Sequence, residues 1–180
     1  MIPNEMRTCD TFRSVLVETL DVSRLRALHT FADCLAPNDV RLRFGTPRRL
    51  ASDEEVLAAF RCQTPENEMI WALAPNGAIA GIATLSLVEP STLELGVIVR
   101  SDMKRRGIGA CLLEAAKRRA RRRGIRSLLA SILWDNRPMR TLIAKAGFVA
   151  TGPVGLLCEY ELALSERIAP PQNGRHRQIV

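Results

Sequence analysis

The stretch from residue 93 to residue 123 constrains the fold most. LELGVIV is an apolar, strand-like run that breaks into a basic turn holding two glycines, RRGIG, and then resumes as an amphipathic helix carrying many arginines. Gly124 stands where a helix of this kind is capped at its C-terminus, and RSLLASIL at 126–133 follows as a buried strand. A turn between a strand and a helix aims its backbone N–H groups and the positive end of the helix dipole at one point, which suits an anion. Gly107 and Gly109 lack a Cβ and let the backbone approach a bulky phosphate, while Lys104, Arg105 and Arg106 surround it with positive charge. A pyrophosphate fits that description. The plainer account is that tight βα turns use glycine for geometry alone. Neither GxGxxG nor GxxxxGK[ST] is present, which weighs against dinucleotide and ATP binding.

The remaining segments alternate. The sequence predicts a short strand at 15–20, a helix from an Asp21 cap through Leu25, Leu28 and Phe31 to near Pro37, and a helix opened by Ser52 and Glu55 at capping-box spacing. EMIWALA and AIAGIATLSLVE form a hairpin about PNG, and a strand at 91–99 joins it. A helix over 136–146 ends at Gly147, and FVATG and LLCEYELAL supply the last two strands. The fold class is therefore α/β (α+β), one domain over 12–163 with a mixed central sheet of six to seven strands and about four helices. Residues 1–11 and 164–180 read as flexible termini.

Composition sets the outer bounds. At 180 residues and 47% hydrophobic content the chain can bury one core but scarcely two. No apolar run is long enough to span a membrane and the first residues lack a signal-peptide pattern, so the chain is expected in the cytoplasm with no membrane partner. Its five cysteines are widely spaced and read as reduced thiols. The net charge of +7 favours an anionic partner, yet the eight aromatics are scattered and do not interleave with the basic residues as a nucleic-acid stacking surface requires. The run KRRARRRG suits the negative end of the helix dipole and reads as a solvated face. His29 and His176 do not form a metal pair, and no metal is expected.

KRRGIG before an amphipathic helix, followed by NRPMRTLIAKAGF, resembles the GNAT superfamily of acetyl-CoA-dependent N-acetyltransferases. The first family motif, Q/R-x-x-G-x-G/A, is matched by Lys104, Gly107 and Gly109, and the second by Asn136, Lys145, Gly147 and Phe148. The resemblance implies that acetyl-CoA is bound, with the backbone of Val97, Ile98 and Val99 along the pantetheine and acetyl group. It also implies that Lys104, Arg105, Arg106, Gly107, Ile108, Gly109 and Ala110 hold the pyrophosphate and that Asn136 touches the pantetheine arm. Asn136 has an equal reading as the cap of the helix ahead of Pro138. Many members place a tyrosine seven residues past the motif asparagine to protonate the leaving thiolate. This chain has Ile143 there.

A base is needed more than that acid, because an amine of pKa about 10.4 is harder to deprotonate near neutrality than a thiol of about 8.5 is to expel. Glu94, in an otherwise apolar strand, is the candidate, against the plainer reading of a solvent-facing strand residue. The pattern E-L-G-V-I-V with N-R-P-M is similar to bacterial protein lysine acetyltransferases, in which the matching glutamate is the base. The same resemblance implies that Arg41, Arg43 and Phe44 shape the acceptor side, against the plainer reading of a surface loop that packs Phe44 into the core. The expected partner is an amine acceptor, a protein lysine first and a small amine or amino acid second, with a non-catalytic acyl-CoA-binding regulator as the third reading. Oligomeric state is not legible in the sequence.

Overall fold

A computed structural model describes residues 12–17, 22–60, 66–152 and 155–164. Seven strands form one sheet in the order β1-β2-β3-β4-β5-β7-β6. They are β1 Arg13–Val17, β2 Glu68–Leu73, β3 Ile79–Glu89, β4 Thr92–Val99, β5 Ser127–Leu133, β6 Val149–Ala150 and β7 Leu157–Ala163. Among the described residues there are five α-helices: α1 Val22–Asp33, α2 Pro37–Phe44, α3 Asp53–Ala59, α4 Ile108–Arg122 and α5 Arg137–Lys145. The expected strand at 15–20 lies at Arg13–Val17, and 18–20 falls outside the described residues, as does Asp21. So do the expected flexible ends, apart from Leu164, which is buried and donates its N–H to Arg126 O at 2.7 Å.

The extra helix is α2. The first helix ends ahead of Pro37 as expected, at Asp33, and Pro37 then opens a second one that was not expected, because at the first helical turn its missing N–H is a donor that has no acceptor anyway. Gly45 closes α2 in the left-handed region, at φ 79°, with its N–H bonded to Arg41 O. Val40 is the one buried hydrophobic residue of α2, so no apolar stripe announces it in the sequence. The hairpin turn forms as expected, with Gly77 at φ 82°. The Ser52/Glu55 capping box on α3 is complete.

Neighbouring strands pair antiparallel except β4 with β5, which run parallel. A parallel pair needs a crossover, and α4 provides it. The pairing covers only Thr92↔Ser127, Leu93↔Leu128 and Glu94↔Leu129. On its other side β4 stays paired with β3 as far as Gly81↔Val99. Past Glu94 the two strands therefore part, leaving a wedge that widens toward the start of α4.

Two cores hold the sheet between them. Leu93, Leu95, Leu112, Leu113, Ala116, Leu128 and Ile143 pack on the α4 and α5 side. Leu28, Phe31, Val56, Phe60, Trp71, Ile82 and Ile98 pack on the α1 and α3 side. Strand residues alternate between faces, so Leu93 and Leu95 point toward α4 while Glu94, Gly96 and Ile98 share the opposite face. Phe60 meets Phe31 and Phe44 edge-on at 6.1 and 5.9 Å, each pair adding about 1 kcal/mol beyond its burial.

The arginine-rich end of α4 is more than a solvated face. Arg119 Nε donates to Glu68 Oε2 at 2.6 Å and Arg123 Nη1 to Glu68 Oε1 at 2.8 Å, fixing the helix end to β2. Cys34 and Cys158 are free thiols, whereas Cys111 is disulfide-bonded, so the expectation of reduced thiols fails at that position. Spacing along a chain does not report which thiols meet in space. No helix among the described residues is long and apolar enough to cross a membrane.

Candidate functional site

The turn between β4 and α4 starts with a single 3₁₀ turn at Ser101–Met103. Gly107 is the N-cap of α4 at φ 81°, and no side chain caps it. The first intrahelical bond runs from Cys111 N to Gly107 O at 3.1 Å, so the amides of 108–110 have no acceptor within the helix. Together with the partial positive charge of the helix end, these amides form a cradle that fits a pyrophosphate. Ile108 is buried and anchors the turn to the core, so it is its backbone that serves the cradle. Arg105 and Arg106 are exposed beside it.

The two glycines do separate jobs. Gly107 is needed for its left-handed φ and has open space where a Cβ would stand. A Cβ on Gly109 would lie 3.1 Å from Leu142 Cδ2 and 3.9 Å from Val99 Cγ2, so this glycine lets α5 close on the start of α4. Of the two accounts of this glycine pair, phosphate approach and turn geometry, the backbone angle and the Leu142 contact are matters of geometry. The carboxylate of Asp102, which would repel an anion here, takes a bidentate bond from Arg100 at 3.0 and 2.8 Å. That bond holds Asp102 below the usual carboxylate range and raises Arg100 above its own.

Lys104 is not simply added charge around the cradle. Its Nζ donates to Asp39 Oδ1 on α2. The same carboxylate accepts Ser101 Oγ–H at 2.5 Å.

Glu94 lies at the fork, on the last residue pair that joins β4 to β5, and is half-buried on the face away from α4. It stands opposite Ser86 in the β3–β4 register, and Gly96 opposite Thr84. Arg43 lies over this face. A Cβ on Gly96 would come within 1.9 Å of its Nη2, which donates to Thr84 Oγ1 at 2.7 Å. Two guanidinium groups lie over the Phe44 ring, with Arg43 at 5.0 Å and Arg48 at 4.7 Å from its centroid. α2 packs against both β4 and β5, and Arg41 donates to Asp135 Oδ2 at 2.6 Å, next to Asn136. Arg41, Arg43 and Phe44, the residues expected on the acceptor side, therefore lie on one helix that contacts both β4 and β5, with Phe44 packed against the core beside Phe60.

Val97 and Val99 pack partly buried on the α4 side and Ile98 is buried on the other, so their shared property at the wedge is the backbone edge of β4. Asn136 caps α5, its Oδ1 accepting Met139 N–H at 3.3 Å. Ile143 is fully buried in the core. The chain has one tyrosine, and its hydroxyl accepts from Arg140 Nε at 2.9 Å between α5 and β7. Asp39 was missed by sequence reasoning, since its partners lie 62 and 65 residues away.

The model of the acetyltransferase (GNAT) family matches residues 35–148. No curated protein matches the chain. Among solved structures, the chain is similar to the GNAT domain of S. lividans PAT at TM-score 0.75 and 22% identity, over 85% of this chain and 90% of that one. It is also similar to spermidine N-acetyltransferase from Vibrio cholerae, solved with CoA and spermine, at TM-score 0.69 and 14% identity over 85% and 96%. A third is the GNAT superfamily phosphinothricin acetyltransferase from Sinorhizobium meliloti, solved with AcCoA, at TM-score 0.67 and 19% identity over 89% and 94%. At these identities the likeness is one of fold.

Proposed function

Since the chain belongs to the GNAT family of acetyltransferases, which use acetyl-CoA, we propose that it acetylates a primary amine, that of a protein lysine, by direct transfer with Glu94 as general base. The observation that carries this reading is the position of Glu94: the one carboxylate on β4, half-buried where β4 and β5 part, on the face opposite the helix that carries the anion cradle. A donor entering along the wedge and an acceptor approaching from the α2 side meet beside it.

When bound, acetyl-CoA supplies its acetyl group as a thioester. The amides of 108–110, with Arg105 and Arg106, would hold its pyrophosphate. The backbone of Val97, Ile98 and Val99 and the side chain of Asn136 would hold the pantetheine arm. Glu94 takes a proton from the acceptor amine, directly or through water, which frees the nitrogen lone pair for attack. A main-chain N–H near Val97 donates to the carbonyl oxygen as it gains charge. Ile143 supplies no proton, and a thiol of pKa about 8.5 leaves without one far more readily than an ammonium of about 10.4 loses its own.

The lysine acceptor is supported by the similarity of E-L-G-V-I-V and N-R-P-M to bacterial protein lysine acetyltransferases. A small amine is the second reading, favoured by Arg43, whose guanidinium lies over Gly96 and narrows the face beside Glu94. Glu94→Gln should lower kcat/KM by about 10²- to 10⁴-fold near neutral pH and leave acetyl-CoA affinity unchanged. Thiol release with lysine-bearing proteins against small amines and amino acids measures both points. Wild-type turnover in the variant at every pH sinks the base assignment, and turnover on small amines alone sinks the lysine.

A further inference from the structure

We propose that Asp39, on the acceptor-side helix α2, is a positioning residue for acetyl-CoA: it fixes the pyrophosphate turn through Ser101 and Lys104. The inference rests on reading 104–110 as the pyrophosphate site. Asp39 is buried, and both of its carboxylate oxygens are used, one by Ser101 Oγ–H at 2.5 Å and the other by Lys104 Nζ. Ser101 is stitched to the same corner twice more, accepting Ala36 N–H on its Oγ at 2.7 Å and donating its own N–H to Cys34 O at 3.3 Å.

These bonds fasten the residues immediately before the two left-handed positions of the turn, Arg105 at φ 63° and Gly107 at φ 81°. A non-glycine residue persists in that region only where its surroundings over-determine it. An anion cradle, in turn, gains affinity by having its amides already aimed when the anion arrives. Asp39 supplies that constraint. Lys104 then works as a staple between α2 and the turn, with its charge matched by Asp39, and the phosphates are left to the main chain and to Arg105 and Arg106. The bridge from Arg41 of α2 to Asp135 ends on a carboxylate that is 55% exposed, whereas Asp39 is 9% exposed although Lys104 is 44% exposed. An exposed pair contributes little, and a charge-assisted bond to a buried carboxylate contributes about twice a neutral one.

The test compares acetyl-CoA with S-acetylpantetheine, which carries the same thioester and arm but no pyrophosphate. Wild-type protein should favour acetyl-CoA strongly in kcat/KM. In Asp39→Asn the KM for acetyl-CoA should rise roughly tenfold, with kcat and the constants for S-acetylpantetheine unchanged. Ser101→Ala, which removes one of the two bonds to Asp39, should move the same quantity in the same direction by a smaller factor, and it serves if the Asn variant does not fold. Equal wild-type preference for the two donors overturns the pyrophosphate reading and this inference with it. A retained preference with equal losses on both donors overturns the inference alone. So does tighter acetyl-CoA binding in Asp39→Asn, because Asp39 would then be restraining Lys104 from the phosphate.

Discussion

A missing side chain at Gly96 lets Arg43 lie against β4, since a Cβ there would come within 1.9 Å of Nη2. Gly96→Ala should therefore displace the guanidinium and break its 2.7 Å bond to Thr84. What moves is the end of a flexible chain, so the expected loss of stability is about 1 kcal/mol, read by urea unfolding. The KM for the acceptor should change severalfold while that for acetyl-CoA does not, and the reverse pattern would refute a role on the acceptor side. At this scale legibility was uneven. The glycine turn at 104–110 and Asn136 as a helix cap are short-range patterns legible in spacing, whereas Glu94 as base and Asn136 beside the cofactor came with the family resemblance. Arg43 came only through a family resemblance, and Asp39 not at all, because their partners are 41 and 65 residues distant and a one-dimensional pattern carries no such information.

Elements with local causes were read correctly. Helix α3 begins where Ser52 and Glu55 stand three apart, and both halves of the box form. Glu55 Oε2 accepts N–H bonds from Ala51 at 2.8 Å and Ser52 at 3.0 Å, which hold its carboxyl below the ordinary value of 4.5. A folded pKa below the unfolded one gives stability that is complete above pH 4.5 and is lost as pH falls through the lower folded value. The stability gap between wild type and Glu55→Gln should accordingly be widest above pH 4.5 and close on acidification. Urea melts over this interval check it, and a gap that widens in acid contradicts the capping role. Helix α2 has local signals at its two ends, Pro37 and Gly45, but no apolar stripe between them, and the side chains that hold it reach to Ser101, Lys104, Thr84 and Asp135, far away in sequence.

For the whole molecule, the order of strands and helices implied a mixed sheet, but the place where β4 leaves β5 was not legible, because it depends on how α4, α5 and α2 pack on the two faces. If that wedge and the cradle at its mouth receive acetyl-CoA, the ligand should stabilise the fold by mass action. At a concentration of about 100 times Kd the gain is about 2.7 kcal/mol, or roughly 5–10 °C in Tm. A thermal-shift series with acetyl-CoA measures it, and an unchanged Tm at saturation would remove the wedge as the donor site. A sheet that parts along its middle gains two inner borders, residues 95–99 of β4 and 130–133 of β5. Outer borders can be guarded by charge or by shortness. The inner ones have helices packed over both faces, α4 and α5 on one and α2 on the other, so a strand from another protein, with side chains above and below, would have to displace them to pair there.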